Sequence, residues 1–202
     1  MNMREKLTLY AQKFSVALKK PFQGMALSRI ALLLTVELLF FAVILTLDLV
    51  TKRFIYQTLR DTGSDFIIIK GVLVLTPIEN TGASFGMFQN STTILSIISL
   101  VTVIIVAVFQ VFSVKNRNFF LRSGVVMIIG GGVGNMIDRF MLGYVRDFIY
   151  FELIDFAVFN IADSALTVGV IFILIFILFF YKPDDKKNTI KKKDDTKEVP
   201  SK

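Results

Sequence analysis

Four long apolar runs divide this chain, and no other feature restricts its fold as much. They are Ile30–Val50 (IALLLTVELLFFAVILTLDLV), about Thr93–Val114, about Phe119–Met141 and about Ala162–Tyr181. Each is about 20 residues long, enough at ~1.5 Å per residue to cross a hydrocarbon core of ~30 Å. Lipid offers the backbone no water to bond, so a single segment meets its own hydrogen bonds only as a helix. The composition agrees: 54% of the 202 residues are hydrophobic and 21 are phenylalanine, too apolar for a soluble domain. The expected fold is an all-α membrane protein with four transmembrane helices.

Lysine and arginine orient the spans. Arg4, Lys6, Lys13, Lys19, Lys20 and Arg29 precede the first run. Lys182, Lys186, Lys187 and the run Lys191–Lys193 follow the fourth, and Lys115, Arg117 and Arg122 stand between the second and third. These regions are expected on the cytoplasmic side, with both termini inside. Three parts follow: a basic lead over 1–28 with amphipathic character (LYAQKFSVALKKPF), a membrane domain over 29–181, and a charged, disordered tail over 182–202. The first run reads as retained rather than as a cleaved signal, because it is too long and contains Glu37 and Asp48. The outer loop 51–92 differs in kind. Its stretch IIIKGVLVLTPIEN is β-branched and reads as strand, which places a small extracytoplasmic β-cradle between helices one and two. The net charge of +7 sits mainly in the two tails, which suits an anionic lipid surface and argues against a nucleic-acid partner.

The chain has no cysteine and no histidine. Thiolate nucleophiles, Ser-His pairs and the usual catalytic zinc sites are thereby excluded. Any catalysis falls to Asp, Glu, Ser, Thr, Lys, Arg or Tyr. The polar candidates gather at one end of the spans, the expected outer end. Asp48 and Lys52 lie four residues apart at the end of the first run; Asn80, Thr81, Gly82 and Ser84 lie in the outer loop. Asn135, Asp138 and Arg139 share a helical face at the end of the third run, Asp147 follows in a short loop, and Asn160 and Asp163 open the fourth. Carboxylates at the hydrocarbon edge are costly unless paired or functional. Two that share a site resist joint ionisation, and such a pair is an acid/base device. Each also has an ordinary structural reading. Asp163 can be a helix cap, Asp48–Lys52 and Asp138–Arg139 can be ion pairs, and Asp147 can be a solvated loop residue. Gly130–Gly132 and Gly134 read as helix-packing positions.

Five motifs, in order, resemble the lipoprotein signal peptidase (signal peptidase II) family: DLVTK (Asp48–Lys52), NTGASFGMF (Asn80–Phe88), GGGVGNMIDRF (Gly130–Phe140), VRDF (Val145–Phe148) and FNIADSAL (Phe159–Leu166). The resemblance covers about Ile30 to Tyr181. It implies a bacterial inner-membrane aspartic endopeptidase that removes signal peptides from diacylglyceryl-modified prolipoproteins, cutting N-terminal to the lipidated cysteine. It implies further that Asp147 and Asp163 are the catalytic pair, and that Asn135, Arg139 and Asn160 line the site. Asn80, Gly82, Asp48 and Lys52 shape it, and Asp138 is a structural partner. Membrane lipids and globomycin-type inhibitors are expected to bind, and no metal or cofactor is expected. Ser84 stands where many members carry alanine.

Two other chemistries compete. An ion pathway would spread acidic groups along the spans, whereas here they cluster, Glu37 excepted. A Ser-Lys peptidase would need Ser84 and Lys52 within reach of each other.

Overall fold

The computed structural model describes residues 22–82 and 92–181. The expected lead helix, the tail, and Ser84 with the rest of NTGASFGMF beyond Gly82 lie outside the described residues.

Among the described residues, four helices are long and apolar enough to cross a membrane. Helix α1, Leu27–Thr51, does not stop at the bundle edge. It runs through a π-helical turn, Lys52–Tyr56, into α2, Gln57–Thr62, and ends at Gly63, whose φ of +63° suits a residue without Cβ. The loop expected from residue 51 therefore begins a dozen residues late. The reason is packing: Tyr56 and Leu59 on this extension are buried against Phe148.

Beyond α2 the stretch read as strand is a hairpin. Strand β1 is Phe66–Ile69 and β2 is Leu73–Asn80, paired antiparallel, with Gly71 at φ +71° in the turn. Helix α3 is Thr92–Phe112. Helix α4 is Phe119–Leu142; the Asn118 side chain caps it by accepting from the backbone N–H of Phe120 and Leu121, and Gly143 closes it at φ +80°. Strand β3, Val145–Tyr150, follows, and α5 is Ile161–Phe179. The β-cradle lies where the sequence places it, but its third strand comes from the link between α4 and α5, so the sheet order is β1-β2-β3. VRDFIY, expected as short loop, pairs antiparallel with β2: Ile78 faces Asp147, Glu79 faces Arg146 and Asn80 faces Val145. The register slips between Leu75 and Ile78, around Pro77, which has no N–H to give to a ladder.

α4 is the most buried of the four spans, and its glycines explain how. A Cβ on Gly124 would lie 2.7 Å from the backbone oxygen of Gly169 on α5, and one on Gly169 would lie 2.8 Å from that of Gly124. Two turns along, Gly131 leaves the same kind of space to the backbone oxygen of Ala162. The two antiparallel helices touch backbone to backbone, as small residues allow where lipid gives no hydrophobic drive to associate. Gly130 admits Ile44 of α1, and Gly132 admits Val103 of α3. The remaining surfaces of α1, α3 and α5 are exposed Leu, Ile, Val and Phe, the solvent-facing surface of a protein whose solvent is lipid.

Candidate active site

β3 carries the first functional side chain by simple alternation. Phe148 points to the Tyr56 cluster, so Asp147 points the opposite way, toward the bundle end. Asp147 is 1% exposed. Asn80, the diagonal neighbour of Asp147 across β2, donates its amide N–H to Asp147 Oδ2 at 2.8 Å. Asn80 Oδ1 in turn accepts from the backbone N–H of Gly82.

The start of α5 supplies the second carboxylate. Asn160 is the N-cap and forms a capping box with Asp163: Asn160 Oδ1 accepts from the Asp163 N–H at 3.0 Å, and Asp163 Oδ2 accepts from the Asn160 N–H at 3.2 Å. This leaves the amide nitrogen of Asn160 free to donate to Asp147 Oδ1 at 2.6 Å and to Asn135 Oδ1 at 3.0 Å. Asn135 on α4 donates to Asp163 Oδ1 at 2.7 Å. One asparagine thus ties both carboxylates into a single network.

Beneath lies a buried charge cluster. Lys52 Nζ donates to Asp48 Oδ2 at 2.8 Å and to Asn135 Oδ1 at 2.9 Å, with Asp138 Oδ2 at 3.4 Å. Lys52, Asp48 and Asp138 are all at 0–1% exposure, and buried charges persist only when paired in this way. Asp48 Oδ1 also accepts from the backbone N–H of Ala162 at 2.9 Å, a carboxylate placed at the positive end of α5. Asp138 accepts from the backbone N–H, Nε and Nη2 of Arg146.

Above the carboxylates opens a cleft of about 730 Å³, lined by Asn80, Gly82, Asn135, Arg139, Asp147 and Asp163 on its polar side and by Phe151, Ile154, Phe156, Phe159 and Val168 on its apolar side. Arg139 Nη2 donates to the Gly82 carbonyl at 3.2 Å, and its buried Nε has no acceptor among the described residues. A donor of this kind is open to a ligand carbonyl. Asp147 is pushed up to about 7, first by burial and second by the charge of Asp163; the bonds from Asn80 and Asn160 pull the other way. Two carboxylates, one of them held well above the ordinary carboxylate range, can take a proton from a water and give one to a carbonyl oxygen.

A family model described as "Signal peptidase (SPase) II" matches residues 40–179 of this chain. The chain belongs to the signal peptidase II family. A lipoprotein signal peptidase of Clostridioides difficile is 39% identical over 143 residues, covering 71% of this chain and 95% of that protein. One from Pelodictyon phaeoclathratiforme is 40% identical over 151 residues, covering 68% of this chain and 89% of the relative. A solved structure of a bacterial membrane enzyme matches with a TM-score of 0.61 at 33% identity, over 73% of this chain and 95% of that one. The protein is a multi-pass membrane protease of the signal peptidase II family.

The residues singled out in the signal peptidase II motifs converge. Asp147, Asp163, Asn135, Asn160, Asn80, Gly82 and Arg139 all line or bond across the cleft, and Asp48, Lys52 and Asp138 form the cluster below it. Asp138 pairs with Arg146 and Lys52 rather than with its neighbour Arg139. Sequence spacing had no means to show the Arg146 partnership, eight residues away across a helix end, nor the bond from Asp48 to the start of the last helix. Glu37, unexplained in the sequence, receives two bonds from the Arg122 guanidinium, one of them Nη2 to Oε2 at 2.8 Å. Of the Ser-Lys pair, Ser84 lies outside the described residues, and Lys52 is enclosed by Asp48, Asp138 and Asn135.

Proposed function

We propose that Asp147 and Asp163 form an aspartic dyad that removes signal peptides from diacylglyceryl-modified prolipoproteins, cutting N-terminal to the lipidated cysteine. The observation that carries this is the shared Asn160: its side-chain amide donates to the Asp147 carboxylate and its backbone N–H to the Asp163 carboxylate, so two carboxylates from different elements meet at one residue, on the wall of a mainly apolar cleft. One carboxyl of the pair, kept protonated by burial and by its neighbour's charge, gives the proton that goes to the scissile carbonyl oxygen, and the other takes a proton from the attacking water. The tetrahedral diol then collapses as the amide nitrogen is protonated and the C–N bond breaks. Asn135 and Arg139 hold the substrate backbone, Arg139 through its unpaired Nε. The edge of the cradle and the phenylalanine wall receive the segment beside the lipid. Asp48, Lys52 and Asp138 fix Asn135 and the start of α5.

In this reading the protein lies in the bacterial cytoplasmic membrane, both termini inside, with the cleft at the outer face. There the substrate's signal helix would end and its diacylglyceryl group would emerge. The peptidase domain is 29–181, and the lead and tail are peripheral. A globomycin-type inhibitor would occupy the cleft, and no cofactor takes part.

The test is cleavage of a lipidated prolipoprotein by purified protein. Asp147→Asn and Asp163→Asn each change one atom and are expected to lower turnover by about 10³-fold or more while the helices remain folded. Full activity in either variant sinks the dyad.

A further inference from the structure

At the end of the bundle opposite the dyad, about 30 Å away along α1 by helix rise, a second cavity of about 680 Å³ opens between α1 and α4. The Glu37–Arg122 pair lies on its wall. Arg122 is fully engaged there: Nε and Nη2 go to Glu37, and Nη1 donates to the Ser113 carbonyl at 3.0 Å. Its rim carries Arg29, in the first turn of α1, and Arg117, just ahead of α4. Both are exposed, and neither has a side-chain hydrogen bond or ion pair among the described residues. Ser123, also on the wall, has no side-chain partner among them either. The rest of the wall is apolar, with Leu32, Leu33, Val36, Phe40 and Val126 joined by Met25 and Phe119.

We propose that this cavity holds one anionic phospholipid, its headgroup phosphate on Arg29 and Arg117 and an acyl chain along Leu32, Val36 and Phe40. Three observations converge. The charge is one-sided, three arginines against one glutamate, and that glutamate is already neutralised by Arg122. The lead over 1–21 carries Arg4, Lys6, Lys13, Lys19 and Lys20 against Glu5, and the tail is net basic as well, so neither matches the charge of the rim. An anion from outside the chain does. A free phosphate has no use for the apolar side chains of the wall, whereas a phospholipid matches both halves: a planar guanidinium for its phosphate and an apolar slot for its chains. The occupied cavity would bridge α1 to α4 in the leaflet away from the cleft. The inference is independent of the peptidase chemistry.

Native mass spectrometry of the full-length protein, from micelles holding equal phosphatidylglycerol and phosphatidylcholine, tests it. The wild type is expected to retain phosphatidylglycerol in preference. Arg29→Gln and Arg117→Gln should each lower that preference about fivefold, while the two lysine substitutions keep most of it. Inorganic phosphate should not displace the lipid. Both arginines are exposed, and circular dichroism checks the fold of each variant. A double Arg→Gln variant with the wild-type lipid ratio overturns the proposal, as does displacement by inorganic phosphate. A benzophenone side chain introduced at Val36 identifies the occupant directly. A lipid adduct on irradiation supports the proposal; a link to residues 1–21 or to a second copy overturns it.

Discussion

Asn160 donates to Asp147 at 2.6 Å from the same side chain that caps the helix bearing Asp163. Positioning of the carboxylates and the start of α5 therefore depend on one amide. Asn160→Asp separates the two tasks. The new carboxylate still accepts from the Asp163 N–H, so the cap survives, but the donor to Asp147 and Asn135 is gone and a third negative charge enters. Turnover is expected to fall by about 10²-fold or more with little loss of helix stability. Asn160→Ala should lose the cap as well, about 1 kcal/mol. Comparing kcat with thermal unfolding for the two variants checks the separation.

The pH dependence has a definite sign. Asp147 sits at about 7 against an ordinary value of 3.8. Between those values the folded protein holds a proton that the unfolded chain has released, so stability falls as pH rises through that window and levels off above about 7. At ~1.4 kcal/mol per pH unit the loss is at most about 4 kcal/mol. Cleavage should decline through the same upper limit, as the dyad loses the proton it gives to the carbonyl. Asp147→Asn is expected to flatten the stability profile. Unfolding measured across this window in both proteins is decisive: an unchanged slope in the variant would refute the assignment.

Lys52 counters Asp48 and Asp138 in a space closed to solvent. Lys52→Met strands the buried Asp48 carboxylate, while Asp138 keeps Arg146, and should cost about 3–5 kcal/mol. Adding Asp48→Asn should restore part of that loss, because the second change removes the stranded charge. Additive losses in this double-mutant cycle would mean that the pair is not coupled.

Gly134 faces Asp48 so closely that a Cβ there would meet its carboxylate oxygen. Gly134→Ala is expected to push α1 from α4, to destabilise the protein by about 1–3 kcal/mol, and to lower activity through the displaced Lys52. Alanine at Gly143, where the added Cβ meets nothing within 4 Å, should act only through its φ of +80° and leave catalysis intact. Unfolding and cleavage of the two variants together distinguish the effects.

Arg139→Gln should raise KM by about tenfold or more with only a small loss of thermal stability, because among the described residues its guanidinium has one protein bond to lose, Nη2 to the Gly82 carbonyl, and its buried Nε has none. A change in stability without a change in KM would assign Arg139 to the scaffold instead.

The four helices were legible because lipid imposes one backbone solution on any apolar run of that length. The polar residues of the site were legible by depth: Asn135 and Asp163 stand out as amide and carboxylate at the hydrocarbon edge. What spacing within one helix cannot carry is partnership across elements. Asp138 and Arg139 are adjacent on one helix, yet Asp138 takes Arg146, brought back by the turn at Gly143. VRDFIY reads as loop because its neighbours are turn residues and its partner strand lies 65 or more positions earlier. The π-helical turn at Lys52–Tyr56 has no signature in the local sequence, yet it begins at Lys52, the cation of the buried cluster.

The pairing of β2 with β3 also sets an order of construction. β2 is made before the second and third spans, β3 only after them, and Asp163 later still. Until the third span and β3 are made, β2 lacks one edge, and until the start of the fourth span follows, Asp48 lacks the N–H of Ala162 and Asp147 lacks Asn160. A nascent chain halted at any earlier point has at most one of its two carboxylates in place. With the proposed dyad as its machinery, the protein stays inert through its own insertion and becomes competent in the step that completes the membrane bundle.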